Sequence, residues 1–220
     1  MFIVEYYLIW IRYTIYYMIE KEFLVQQYLQ RRKSVAQIAL QYGCSQNKVT
    51  YWLQKHNIKK RSISDAVYVR SNPEGDPFAF KKPNTYDEWF LYGLGLGLFW
   101  GEGNKVNKHS VRLGNTDIDL IRTFLRFLRV VYDIDEKKIR FGLQLFSDIS
   151  SKKALHYWTT GLGVSEKQFQ AVVVTKQTKK GTYRKKCEFG VLTIYFSNIK
   201  LRDTIVTAIT KLRKDSHLPS

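Results

Sequence analysis

The acid Glu102 closes an apolar segment, residues 91–103, in which Gly93, Gly97 and Gly101 recur every fourth position. Each glycine in a helix interior costs about 1 kcal/mol relative to alanine, and residues four apart share one face. The segment therefore maintains a smooth stripe where a second backbone can approach closely, and the contact is tipped by a carboxylate. A second chemistry-bearing run spans residues 176–186, where Lys176, Lys179, Lys180, Arg184, Lys185 and Lys186 are interleaved with Gln177, Thr178, Thr182 and Tyr183. Between two strands, such a run suits a ribbon along a nucleic-acid groove: the cations neutralise phosphates while the amide and hydroxyls reach base edges. The plainer alternative is a solvated hairpin tip. For the glycine stripe, one alternative is a buried helix in an unrelated fold with Glu102 a surface acid. Another is a transmembrane dimer motif, but residues 89–100 give only 12 positions between charged neighbours, short of the roughly 20 a membrane helix needs.

The helix carrying Glu102 has a marked beginning. Thr85-Tyr86-Asp87-Glu88 has the form in which the Thr85 hydroxyl and Glu88 carboxylate satisfy each other's free backbone N–H groups, and Gly103 is placed to stop the helix. Here the chain resembles the LAGLIDADG family of homing endonucleases and their non-cleaving relatives. Residues 95–103, Gly-Leu-Gly-Leu-Phe-Trp-Gly-Glu-Gly, lie over the nine-residue signature and match it at Gly97, Gly101, Glu102 and Gly103. They depart from it at Gly95, Leu96 and Trp100. The resemblance implies that two such helices pack face to face and that the acid at each helix end holds a divalent metal beside a scissile phosphate. Carried onto this sequence, Glu102 is the metal-binding catalytic carboxylate and Mg²⁺ the expected cofactor; the neighbouring Gly101 carbonyl, which the motif does not itself carry over, is a candidate second donor. Lys105, or Lys176 from the sheet, would stabilise phosphate charge. Only one signature helix is present, so the expectation is a homodimer through Gly93, Gly97 and Gly101, or else a domain that binds without cutting.

The chain has 220 residues, 45% hydrophobic and 15% aromatic, ample for packed cores, and a formal net charge of +17. So basic a surface attracts polyanions, with double-stranded DNA the leading partner and an acidic membrane surface its rival. Residues 18–70 carry ten Lys/Arg against three Asp/Glu, and residues 86–213 carry twenty-two against twelve, so neither part alone accounts for the excess. Cys44 and Cys187, with His56, His109, His156 and His217, form neither a disulfide framework nor a zinc-ligand spacing. A reducing, cytoplasmic compartment without membrane attachment is expected.

These groups need elements to hold them. Residues 1–17 are aromatic and aliphatic but interrupted by Glu5 and Arg12, and Met18-Ile19-Glu20 reads as a natural start. The first 17 residues are taken as an extension outside the fold, with an interfacial anchor as the alternative. Residues 18–70 read as three short helices, with apolar Ile38, Ala39, Val49, Trp52 and Leu53 and a turn at Tyr42-Gly43-Cys44-Ser45. This resembles the helix-turn-helix of resolvases, invertases and bacterial repressors. The resemblance implies a recognition helix over residues 46–56 in the major groove, presenting Gln46, Asn47, Thr50 and Tyr51 to bases, with Lys48 and Lys55 on phosphates. Lys59-Lys60-Arg61 would form a basic backbone or minor-groove arm. A helical protein-interaction module is the alternative.

Residues 71–85, rich in proline, read as a linker. Residues 86–213 read as α+β: the glycine helix, strands over 110–115 and 138–146, a helix over 117–132 capped by Thr116 or Asp117, a helix over 151–160, strands over 168–175 and 188–197, and a last helix over 199–212. Residues 214–220 are a tail. The expected fold class is α+β, a three-helix helix-turn-helix domain followed by a LAGLIDADG-like domain of helices on a mostly antiparallel sheet, in which the helix over 151–160 is extra. The expected function is site-specific DNA cleavage with a divalent metal. The alternatives are a non-cleaving transcription regulator of the same two domains and a membrane-surface protein.

Overall fold

Ser34 starts the helix Val35–Tyr42 with a complete capping box: its hydroxyl accepts from the Gln37 N–H at 3.1 Å and the Gln37 side chain accepts from the Ser34 N–H at 2.9 Å. The computed structural model describes residues 18–170, 172–176 and 188–215. Residues 1–17, the basic residues Lys179, Lys180, Arg184, Lys185 and Lys186 with Gln177, and the end of the tail lie outside the described residues. The chain divides into two compact units after Asp76. The fold is α+β, with a mixed four-stranded sheet in the second unit.

In the first unit α1 (Lys21–Leu24) runs straight into a wider π turn, Val25–Gln30, followed by α2 (Val35–Tyr42), α3 (Gln46–Lys55) and α4 (Ile63–Ser71). The unit thus has one helix more than the sequence reading allowed. Gly43 ends α2 in the left-handed conformation, φ 65°, and Ser45 caps α3 by accepting from the Lys48 N–H. The core is Ile19, Leu24, Tyr28, Ile38, Ala39, Val49, Leu53 and Ile58. The helix α4 buries none of its side chains.

Arg61, expected in a DNA-contacting arm, is built into this unit instead. Its guanidinium lies 4.0 Å from the Tyr28 ring centroid and donates to the Lys33 carbonyl at 3.0 Å and to the Tyr28 carbonyl, while its backbone N–H donates to the Tyr28 hydroxyl at 2.8 Å. It ties the segment after α3 back onto the first helix. Arg61→Met should lower the unit's stability by about 2 kcal/mol, because carbonyls that accepted charged hydrogen bonds are left poorly satisfied. Lysine, without the planar fork, should not restore it. An unchanged chemical denaturation midpoint would show that the clamp is dispensable.

The expected linker is only half a linker. From Pro77 on, the chain runs beside the end of α6 (Ile118–Tyr132): the Ala79 N–H donates to the Tyr132 carbonyl, that of Lys81 to Val131 and that of Asp135 to Pro77. Lys81 and Asp133 pair at 3.0 Å, and Phe80 packs on Tyr132. Burial pushes the Tyr132 phenol well above its usual range, and the neighbouring Tyr92 adds to that.

The second unit has two layers. α5 (Tyr86–Glu102), β1 (Val111–Asn115), α6, β2 (Ile139–Phe146), α7 (Ser151–Leu162), β3 (Val173–Thr175), β4 (Val191–Phe196) and α8 (Ile199–Asp215) follow in order. The sheet order is β1-β4-β2-β3; β4 is antiparallel to both neighbours, and β3 runs parallel to β2 because the chain returns through α7. Leu113, Phe141, Leu143, Ile194 and their face-mates meet Phe124, Leu125 and Leu128 of α6. Asp117, one of the two expected caps, accepts from the Asp119 and Leu120 N–H groups at the start of α6. The helix that the sequence reading could not place, α7, buries Ala154, Trp158 and Leu162 in this core, and the Trp158 indole donates to the Phe189 carbonyl at 2.9 Å. The strand expected over 168–175 is shorter: residues 166–168 form a capped 3-10 turn, and Phe169 only bridges to Phe141. Among the described residues no helix is long and apolar enough to cross a membrane.

Candidate functional site

Thr85 caps α5 by accepting from the Glu88 N–H at 3.3 Å, but Glu88 accepts from Asn84 at 2.9 Å, not from Thr85, so half of the expected capping box forms. Seventeen residues later the helix ends at Glu102, which is exposed. Gly103 stops it without the left-handed turn its type suggested: φ is −71°, and the residue bridges to Leu113 of β1. Glycine is needed there because a Cβ would lie 2.4 Å from both the Phe99 ring and the Phe99 carbonyl oxygen.

The loop after it is fixed by its backbone. The Asn104 N–H donates to the Arg112 carbonyl at 2.9 Å, and the Asn104 side-chain oxygen accepts from the Val106 and Asn107 N–H groups at 3.1 and 3.0 Å. Arg202 of α8 donates to the Lys105 carbonyl at 2.8 Å. Lys105 then turns its ammonium back onto the end of α5, donating to the Trp100 carbonyl and, at 3.5 Å, to that of Gly101. Glu102, Asn104 and Lys105 meet Arg112, Thr193 and Tyr195 around an open cleft of about 560 Å³.

That cleft opens onto the face of the sheet opposite the core, which no helix among the described residues covers. The Arg112 guanidinium sits 5.2 Å from the Tyr195 ring centroid and donates to the Ser110 hydroxyl at 2.7 Å. Gly114 and Gly142 leave room for the side chains beside them, since a Cβ would lie 2.7 Å from Thr193 Oγ1 at the first and 2.7 Å from the Tyr195 ring at the second. Arg140 and Gln144 of β2 alternate with the buried Ile139, Phe141, Leu143 and Leu145 and carry the polar surface across the sheet, where Gln144 donates to the Thr175 hydroxyl at 3.5 Å. The sequence reading missed this surface. Its signal was the complement of the apolar alternation in β2, which fixed the buried face and so assigned Arg140 and Gln144 to the other.

Of the expected site residues, Glu102, Gly101 and Lys105 come together at the end of α5. Lys176 does not join them: it follows β3, three strands from β1, roughly 14 Å across the sheet at normal spacing. In α3, Gln46, Asn47, Tyr51 and Lys55 are exposed, Lys48 and Thr50 are half-buried, and Lys59 and Lys60 beyond the helix are exposed.

The glycine stripe splits in an unforeseen way. Gly95, outside it, is the position where α5 meets α6: a Cβ there would lie 2.1 Å from the Phe127 ring. A Cβ at Gly93, Gly97 or Gly101 would meet nothing within 4 Å. The same helix also leaves Trp89 (49%), Phe90 (61%) and Trp100 (47%) partly exposed, with the Arg213 guanidinium 5.9 Å from the Trp100 ring centroid.

Glu102 and the Gly101 carbonyl are oxygen donors of the kind a hard divalent cation takes, and the Lys105 ammonium shows that positive charge is accommodated at those carbonyls. The donors fit such an ion but are incomplete: among the described residues no three His, Cys, Asp or Glu side chains come together. Compared with protein-family models, curated proteins and solved structures, the chain finds no match.

Proposed function

We propose that this protein binds duplex DNA through two surfaces and cleaves it as a homodimer, in the manner of the LAGLIDADG-type endonucleases that the α5 sequence resembles. The observation that carries the reading is the continuity of the polar sheet face, with Arg112, Arg140, Gln144, Thr193 and Tyr195, into the Glu102 cleft at the tip of α5. A twisted strand surface of this composition fits a groove, with arginines on phosphate or guanine and amide and hydroxyl groups on base edges. The exposed N-terminal part of α3, with Gln46, Asn47 and Tyr51, would enter a neighbouring major groove as a recognition helix. Two copies packed through Gly93, Gly97 and Gly101 would bring two Glu102 carboxylates together.

In that dimer Glu102 and the Gly101 carbonyl would hold Mg²⁺, which when bound supplies an activated water and stabilises the leaving oxygen. Arg112 and Lys105 would position and neutralise the phosphate. The compartment that suits such a protein is a reducing cytoplasm, without membrane attachment. A second reading, a regulator that recognises DNA without cutting, is favoured by the cleft lining, in which Glu102 is the one carboxylate among the described residues.

The deciding experiment is a selection on a randomised duplex library with Mg²⁺, sequencing both bound molecules and new ends for the protein and its Glu102→Gln variant. New ends at one motif that depend on Glu102 support the endonuclease; a motif bound equally by both and never cut supports the regulator; no enriched motif overturns both. For the sheet surface, Arg112→Gln with Arg140→Gln should weaken binding and reduce the slope of log affinity against log salt by about two units, one per lost phosphate contact. A slope equal to that of the unaltered protein would remove the sheet face from the interface.

A further inference from the structure

We propose that Lys105 is a built-in cation at the end of α5 that keeps the Gly101 carbonyl from a divalent ion until duplex phosphate draws its ammonium away. This rests on the reading of Glu102 and Gly101 as a metal-binding pair and adds a control to it.

The last carbonyls of a helix have no partner within it and carry the negative end of its dipole, so they attract whatever cation is near. Lys105 is held near by its backbone and not by chance of rotamer. Gly103 is bridged to β1, Asn104 is bonded to Arg112 on one side, and the Lys105 carbonyl is bonded to the mostly buried Arg202 on the other. From that fixed point its side chain reaches back to both the Trp100 and Gly101 carbonyls. A full positive charge 3.5 Å from an intended ligand oxygen repels an incoming divalent ion.

The ammonium is also free to leave. Lys105 is exposed, and a lysine is a point charge on a flexible four-carbon stem, unlike the guanidinium of Arg112, which is stacked on Tyr195 in the same cleft. A phosphate entering between Arg112 and Lys105 offers the ammonium a stronger acceptor than two neutral carbonyls. The Gly101 oxygen would thereby be released at the moment substrate is present, and the ion would be held weakly by the DNA-free protein.

Mn²⁺ binding to the full chain, followed by the loss of the free-ion electron paramagnetic resonance signal, tests this in the absence of DNA and of any cleavage. Lys105→Met should bind Mn²⁺ about tenfold more tightly than the unaltered protein, the scale expected for removing one near-contact charge at a solvated site. Lys105→Arg, which keeps the charge, should bind as weakly as the unaltered protein. A misfolded variant would lose affinity, so a gain cannot arise from damage. Equal or weaker binding by Lys105→Met overturns the proposal, and if Glu102→Gln weakens binding in the same series, the metal-binding reading stands without it. Tighter binding by Lys105→Met that Glu102→Gln leaves untouched supports the lysine's role and overturns Glu102 as the ligand. No Mn²⁺ binding by any of the four proteins overturns both.

Discussion

Gly95→Ala is expected to destabilise the second unit by about 3 kcal/mol or more, whereas Gly97→Leu, two residues away and much larger, is expected to leave the folded chain intact. The added methyl at Gly95 would lie 2.1 Å from Cγ of Phe127. Phe127 cannot retreat, since it is fully buried with Phe124 at 5.6 Å and Tyr132 at 5.3 Å between ring centroids. Overpacking a well-filled core costs roughly 1–3 kcal/mol for smaller intrusions, which exceeds the roughly 1 kcal/mol an alanine gains in helix propensity. At Gly97 an added Cβ meets no described atom within 4 Å, so a leucine gains propensity without the clash that an alanine meets at Gly95. In the proposed homodimer its effect would fall on the second copy: a side chain on the stripe would hold two α5 helices apart. Thermal unfolding of both variants and sedimentation of Gly97→Leu check this. A Gly97→Leu protein that remains dimeric places the dimer contact elsewhere, and a Gly95→Ala protein with an unchanged melting temperature would mean that α5 does not press on α6 there.

For the proposed endonuclease, Glu102→Gln is expected to reduce DNA cleavage at least about a thousandfold while changing DNA affinity little. The carboxylate is exposed at the helix end, so the near-isosteric amide should cost the fold almost nothing. A neutral amide is a poor ligand for a hard divalent ion, and losing the group that fixes the ion removes both the activated water and the stabilisation of the leaving oxygen. Losses of a preorganised electrostatic group of that kind are on the order of a hundred- to a thousandfold each. Because the acid lies in a cleft lined by Lys105 and Arg112, removing its negative charge should slightly favour phosphate. Affinity by filter binding and end formation on the same duplex separate the two effects. Cleavage that survives the substitution would remove Glu102 from the chemistry.

Most elements were legible because their residues alternate cleanly. The period of two in β2 and the 3.6-residue stripe of α6 placed both within a residue or two, and Gly43 and Ser45 marked the turn between α2 and α3. What failed were features that depend on which of two equivalent faces turns inward. Spacing by four singles out Gly93, Gly97 and Gly101, but it does not say that the intervening Gly95 is the one pressed on Phe127. Arg61 sits in a basic run and looks like a phosphate contact; only the fold brings Tyr28, 33 residues earlier, beneath its guanidinium. Phe78 and Phe80 read as part of a proline-rich linker because their partner Tyr132 lies over fifty residues on. Of the candidate site, the acid and its lysine were readable locally, whereas the sheet face was not, because Arg112, Arg140 and Tyr195 come together only through strand order.

That strand order also sets a timetable. β4 is the last strand in the chain, yet it lies between β1 and β2, which do not pair with each other. Until Val191–Phe196 leaves the ribosome, the two earlier strands have no common neighbour, and the apolar face that α6 must cover is a gap with a helix waiting over it. The first unit, whose longest ties span fewer than forty residues, can fold during synthesis, while the second must wait for pairing across some eighty residues, a slow, high-separation step. A nascent chain held before β4 would expose the apolar sides of β1 and β2 together, and it is at that stage of synthesis that the protein would lean most on chaperones.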